Sequence, residues 1–467
     1  MNRLRENIVR EPRKEAPSLP GHRQIALGLL ALSAPIIATN ISRTVMSFVD
    51  FIMVSDLGRD AQAAITPASL VLWTLMAFGI GLAAVVNTFV SQSLGRRRTT
   101  QCAVYGWQGV YLSLFLGVAV LPVWPLVDPL FEFAGHGEAL VPMQAVYTKI
   151  GLLGVGPTLV AAALSNFFNG VHRPAVGFTM AVVSNVFNGV ANYALIFGHF
   201  GFPALGIAGA ALGTLAASVL QAALLLAWFV HPYYRQRFGT WRARALNLHR
   251  LRNLMRVGVP PGLQFAVDIG AWTVFTMFLV GRFGEAQLAA NNICFKILEI
   301  SFMPAVGMGH AITAAVGRSI GQGRFDLARR YVRWGAVYCV GYMGSVGVVM
   351  AVFRHGLPSL LSDDPQVIHW AGILMIMCAV FQIFDALNIT FGGALRGAGD
   401  TLWPAVLWVA SNALILLGGG WLMAHYVPQW ASAGVWSAAT VNIIVLGSFL
   451  GLRYKYGPWA KMDLFRG

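Results

Sequence analysis

Three carboxylic acids stand in stretches that are otherwise oil: Asp50 in SFVDFIMV, Asp268 in LQFAVDIGAW and Asp385 in AVFQIFDALNIT. Each stretch is long enough to cross a bilayer. An ionisable group at that depth costs about 2.5–3.5 kcal/mol on insertion scales, so it marks an ion or substrate pathway by default. A carboxyl group there can carry a proton or offer oxygen to a small hard cation. Asp268 and Asp385 both fall in the second half of the chain, where two helices of one bundle can bring them together. They are therefore expected to hold the coupling ion, H+ or Na+, with Na+ as the metal the pair could ligate. The other reading is a pair of protonated acids satisfied by amides. Asp50 sits in the first half with its own polar company. Asn185, Asn188 and Asn192 follow at spacings of three and four, so they share one helix face. Their amides can donate to a carboxylate, coordinate a cation through oxygen, or join helices.

Other residues suit a substrate cavity. Arg43 precedes Asp50 by two helical turns and can pair with an acid or snorkel to the surface. Lys296 and Glu299 are three apart and can neutralise each other. Gln264 and Phe381 complete the cavity candidates, with Phe275, Phe302, Met303 and Phe384 as residues that could line a cavity or simply pack.

These side chains need spanning helices to position them. Of 467 residues, 57% are hydrophobic and 11% charged, against about 25% charged in soluble proteins. The apolar excess has to face lipid. A spanning helix needs roughly 20 apolar residues, and that ruler gives twelve: 25–55, 62–94, 101–123, 144–168, 174–198, 205–230, 257–281, 287–318, 328–352, 367–394, 402–425 and 431–452. The net charge of +15 looks like a nucleic-acid signal, but its distribution is topological. With twelve spans, 27 of the 33 Lys and Arg fall on one side of the membrane, Arg173 and Arg396 among them. The positive-inside rule makes that side the cytoplasm and puts both termini there. The organisation is then a basic tail (1–24), an N-lobe (25–230), a basic cytoplasmic linker (231–256), a C-lobe (257–452) and a C-terminal tail (453–467). The tail reads as retained, with no signal-peptide cleavage pattern behind it. Cys102, Cys294, Cys339 and Cys378 lack CxxC spacing and read as packing residues.

The two halves repeat each other. LSAPIIATNISRTVMSFVDF resembles VGVPPGLQFAVDIGAWTVF, with Pro35 facing Pro260 as matched helix bends. VSQSLGRRR faces VGRSIGQGR, with Gly95 opposite Gly321. VVSNVFNG echoes VASNALIL, and GIAGAALGT echoes ASAGVWSAA. Parallel repeats of six helices are related by an axis along the membrane normal, which places a cavity between two lobes. The expected fold is an all-α membrane protein of twelve helices in two such lobes. No GxxxxGK[ST], HExxH or Ser/His/Asp set stands out, so no enzyme is expected.

FVDFIMVSDLG, VGVPPGLQFAVDIGAW, FDALNITFGGALRGAGDT and the VSQSLGRRR/VGRSIGQGR pair together resemble the multidrug and toxic compound extrusion (MATE) family, in its NorM-like branch. The resemblance runs from about residue 25 to 452. It implies two lobes forming a V and antiport of lipophilic cationic compounds against Na+ or H+ across a bacterial inner membrane. It also implies a chain that acts as a monomer with small molecules and membrane lipids as partners, no nucleic acid, and no cofactor beyond the coupling ion. Asp50, Asp268 and Asp385 fall on the family acids, and Asn188 and Asn192 on its N-lobe asparagines. Two departures stand out: Asp268 replaces the usual Glu, and Lys296 stands where a neutral polar residue is expected. The alternative function is a lipid-linked precursor flippase of the same superfamily. A non-transporting scaffold leaves the three acids unexplained.

Overall fold

The computed structural model of the protein describes residues 20–135, 137, 140–462 and 464–465. Most of the basic tail, Arg3 to Lys14 included, and Arg466 lie outside the described residues. Among the described residues, twelve helices are long and apolar enough to cross a membrane: α1 (His22–Ser55), α2 (Asp60–Gly95), α3 (Thr99–Phe133), α4 (Leu140–Gly170), α5 (Pro174–Phe197), α6 (Ile207–Phe229), α7 (Leu248–Phe283), α8 (Glu285–Gly321), α9 (Phe325–Val352), α10 (Pro365–Ala398), α11 (Leu402–Tyr426) and α12 (Pro428–Tyr456). They match the twelve spans read from hydropathy. Between α6 and α7 a short linker helix, Pro232–Phe238, is capped by the His231 ring.

Packing follows the repeat. In the first half α2 lies against α4, and α4 against α6; in the second, α8 lies against α10, and α10 against α12. Each half closes its own apolar core. Phe89 stacks on Tyr105 in the first, and Trp436 gathers Phe275, Phe295 and Phe381 in the second.

The halves meet across α1–α8, α2–α7 and α2–α8. Asn87 Nδ2 donates to the His310 carbonyl (3.1 Å), Thr88 Oγ1 to that of Arg396 (3.0 Å) and Gln92 Nε2 to that of Gly397 (2.9 Å). Asn40 Nδ2 donates to the Met303 carbonyl at 3.2 Å. Among the described residues, no hydrogen bond joins the lobes further along α1 than this one. Beneath, the backbones nearly touch. A Cβ at Gly95 would lie 2.2 Å from the Arg318 carbonyl oxygen, and one at Gly321 2.3 Å from that of Gln92. Small residues let helix backbones approach this closely, and the matched pair Gly95/Gly321 puts the contact at the arginine-rich end. The lobes are closed there and part beyond Asn40.

Pro35 lies inside α1 and Pro260 inside α7, and helix continues on both sides of each. Pro67, Pro157 and Pro304 also sit inside spans, so an internal proline is not peculiar to the matched pair. The irregular segments are elsewhere: π-helical turns at Phe275–Val280 in α7 and Asn412–Gly419 in α11. Such turns often accompany functional sites.

Gly95→Val is expected to pry the closed end apart. Hydrogen exchange at residues 87–95 and 310–321 should accelerate several-fold, and exchange unchanged from the parent protein would contradict the close approach as the seal.

Candidate functional site

In the first lobe, Asn192 of α5 donates through Nδ2 to Asp50 Oδ1 of α1 at 2.7 Å. The same nitrogen lies 3.5 Å from Asn188 Oδ1. Asn185, one turn earlier, instead donates to Ser42 Oγ on α1 at 2.8 Å. The spacing of three and four therefore lays an asparagine seam along α1. Asn188 and Asn192 are buried, and Asp50 is half-buried. Gly213 of α6 backs Asn192 so closely that a Cβ there would lie 2.0 Å from Asn192 Oδ1.

In the second lobe, Asp268 Oδ1 accepts from Trp408 Nε1 (2.8 Å) and Asn412 Nδ2 (3.0 Å), both on α11. Asn412 Oδ1 accepts from Asn442 Nδ2 of α12 at 3.0 Å, and Ser411 Oγ donates to Asn442 Oδ1. The network thus ties α7 to α11 and α12 where α11 turns π-helical. Asp385 of α10 is buried, with Asn388 Nδ2 donating to its Oδ1 at 3.4 Å. The sequence suggests one paired site for Asp268 and Asp385. The structure puts them within electrostatic reach of each other, each with its own amide partners. No hydrogen bond joins them among the described residues.

Buried polar atoms without partners gather beside both clusters. Asn192 Oδ1, Asn188 Nδ2 and Ser184 Oγ lie on α5, and Gln382 Oε1, Asn388 Oδ1 and Thr390 Oγ1 lie on α10. Buried polar groups are normally satisfied, and a set of orphan oxygens beside a carboxyl suits a proton or an oxygen-ligated hard cation. Among the described residues no group of three His, Cys, Asp or Glu could hold a metal. A cation here would take one carboxylate plus amide and hydroxyl oxygens.

The cleft lies between the lobes. On α8, Lys296, Ile300, Met303 and Gly307 fall on one face by their spacing. Met303 and Gly307 touch α1, so the continuation of that face, with Lys296 77% exposed in its side chain, looks into the gap. Its Nζ lies 3.6 Å from Glu299 Oε2, the expected ion pair. Arg43 is exposed near where α1 and α8 part, and its charge acts on the His310 ring along with that of Arg396. Gln264 is half-buried on α7, one turn before Asp268.

Two readings change, and Phe275, left open between lining a cavity and packing, proves to pack. Phe381 is not a cavity wall: it is 5% exposed and stacks on Trp436 at 6.3 Å between ring centroids, because that face of α10 packs into the second core. Phe275 is buried in the same core. Arg396, counted with the loop arginines, lies inside α10 and folds back along its own helix. A Cβ on Gly392 would stand 3.9 Å from both Nη atoms, in ordinary contact with the guanidinium. The sequence reading missed Trp408, Asn412, Asn442 and Gly213. The signal for Asn412 was present in the SN repeat, where VVSNVFNG meets VASNALIL.

At the closed end, His172 lies between α4 and α5. Its Nε2 donates to the Ala314 carbonyl of α8 at 3.3 Å. Burial, with the Arg318 charge adding to it, holds this ring down at about 4.

Twelve spanning helices in two repeat-related lobes, sealed at one end beneath buried carboxylates, define a polytopic membrane transport protein rather than an enzyme. A family model described as MatE matches residues 35–194 and 270–422. A probable multidrug resistance protein NorM from Rhizobium meliloti is 29% identical over 91% of this chain and 92% of its own. Another, from Pseudomonas syringae pv. tomato, is 30% identical over 94% and 95%. Among solved structures, a MOP superfamily transporter from Pyrococcus furiosus, described as having reverse polarity of the binding pocket, superposes with TM-score 0.86 at 19% identity. It covers 96% of this chain and all of that one. The eukaryotic MATE transporter AtDTX14 gives 0.85 at 19% identity, over 95% and 98%. The chain belongs to the MatE family, in its NorM-like branch.

Two outcomes test this geometry. Gly213→Ala should push the Asn192 amide off Asp50 and lower stability by about 1–3 kcal/mol, the range for leaving a buried polar group unsatisfied; chemical denaturation of purified protein measures it. For His172, the folded value lies below the ordinary 6.5, so the closed form favours the neutral ring. Closure is then expected to be fully stable above pH 6.5, to weaken as pH falls from about 6.5 toward about 4, and to change no further below. Melting curves across pH 4–8 should flatten in this window for His172→Gln.

Proposed function

We propose that the protein is a secondary multidrug exporter in which entry of Na+ or H+ drives lipophilic cationic compounds outward by alternating access. The observation that carries this reading is the pair of separate carboxylate clusters, one in each lobe, with unpartnered amide and hydroxyl atoms at their sides. Asp268 and Asp385 bind the coupling ion, and Asp50 with Asn188 and Asn192 forms a second site in the other lobe. The relatives' names, probable multidrug resistance proteins, support drugs as the cargo; that these are lipophilic cations is the expectation from the family resemblance. The arginine-rich end is the cytoplasmic one by the positive-inside rule, with both termini inside a bacterial inner membrane. In that orientation the conformation described here opens outward. A similar fold, solved in a state described as outward-facing, superposes with TM-score 0.85. An ion and a drug that favour different conformations displace each other by one reciprocal factor.

One observation favours a second reading, the flippase of a lipid-linked precursor. Arg43 and Arg396 both lie near the His310 ring, and Lys296 is exposed on α8; a large anionic headgroup needs several such charges. Deleting the gene separates the two, since loss of an essential flippase stops growth and loss of an exporter leaves only drug sensitivity.

The exporter reading is tested in proteoliposomes with an imposed Na+ or H+ gradient and a fluorescent lipophilic cation. Asp385→Asn, expressed at the parent level, is expected to lose efflux by at least tenfold. Efflux at the parent rate would sink the ion assignment.

A further inference from the structure

A cavity of about 90 Å³ opens at the arginine-rich end, away from the carboxylates. A single water needs about 10–15 Å³ on this scale, so a phosphate-sized group fits. Four elements line it: Leu94 from the end of α2, Val171 and Arg173 from the α4–α5 turn, Tyr233, Tyr234, Arg237 and Phe238 from the linker helix, and Arg318 from the end of α8. No acid is in its lining. Among the described residues neither Arg173 nor Arg318 has a carboxylate partner. Arg237 Nη1 donates to Tyr233 Oη at 2.7 Å, which presents a charged fork beside a hydroxyl. Tyr234 is buried; burial pushes its hydroxyl up from its ordinary range against the opposing Arg173 charge, so it remains a neutral donor. Guanidinium forks match tetrahedral oxyanions bidentately.

Depth narrows the ligand. Arg318 lies three residues before the end of α8, Arg173 three after the end of α4, and Tyr233 four after the end of α6. The cavity therefore sits at the level of the span ends, where lipid headgroups lie. Phe238 adds an apolar wall. Basic pockets of this kind between membrane helices bind anionic headgroups.

We propose that this cavity binds the phosphate of an anionic phospholipid and that the bound phosphate clamps the two lobes at this end. A soluble phosphate shares the chemistry. Arg173 belongs to the first lobe and Arg318 to the second, so a group that pairs with both prefers the closed arrangement and shifts the population toward it. The effect of this shift on transport rests on the alternating-access reading; the binding does not.

The test uses the full chain in nanodiscs of phosphatidylcholine with or without phosphatidylglycerol, alongside Arg173→Gln/Arg318→Gln and, as a charge control, Arg252→Gln. Native mass spectrometry should retain phosphatidylglycerol on the parent and the control, with at least tenfold less on the double variant. Phosphatidylglycerol should also raise the melting temperature of the parent and the control, and not of the double variant. Inorganic phosphate in pure phosphatidylcholine is the second arm. Protection by it shows that the phosphate alone suffices; protection only by phosphatidylglycerol identifies the lipid as source. Equal retention and equal melting shifts in parent and double variant overturn the proposal, as does an equal loss in Arg252→Gln. A transport defect in a double variant that still holds the lipid would leave the exporter reading in place and remove this site.

Discussion

A carboxyl group in hydrocarbon needs donors, and that need sets how the helices of each lobe stand. Asp268 holds Trp408 and Asn412 of α11 against α7, and Asn442 extends the grip to α12. Asp50 does the same for α1 and α5 through Asn192. These bonds pass between helices whose remaining contacts are largely apolar packing. They carry orientation that dispersion alone cannot, since lipid tails pack against a leucine as well as another helix does. The clusters are also incompletely satisfied. Asn192 Oδ1 and Asn388 Oδ1 are buried and unpartnered beside their acids, so each network keeps an acceptor to spare.

The seal between lobes is built differently. It uses side-chain amides and a hydroxyl donating to backbone carbonyls, with glycine opposite glycine. Asn87, Thr88 and Gln92 reach carbonyls near the ends of α8 and α10, and no ion pair crosses at these points among the described residues. Neutral bonds of this kind contribute about 0.5–1.5 kcal/mol each. A seal of several such bonds is firm yet within reach of an ion or ligand that prefers the other state. His172 adds a titrating member, and its preference for the neutral ring gives the closed end a pH sensitivity that its neutral amide bonds lack.

Much of the fold was legible in the sequence. Twelve apolar stretches, the Gly95/Gly321 correspondence and the asparagine spacing on α5 read directly into helices, a close approach between the lobes and a seam, because each is a local pattern or an internal repeat. The site was legible only in part. The three acids announced themselves by cost, but their partners in the second lobe did not. Asn412 and Asn442 come from helices far along the chain, and Trp408 is one of many tryptophans in an apolar protein. Arg396 was read as a loop charge because its position near a helix end says nothing of a side chain that folds inward over Gly392. Phe381 was misread because aromatic residues in such a chain carry no sign of which face they occupy.

The central claim is that the buried carboxylates hold the ion that the substrate displaces. Substrate binding to the purified protein, titrated calorimetrically across pH and Na+ concentration, tests it most directly. The account predicts that affinity falls as Na+ or H+ rises, that binding releases the ion, and that both effects vanish in Asp268→Asn/Asp385→Asn. Substrate affinity that is independent of both ions in the parent protein would contradict it.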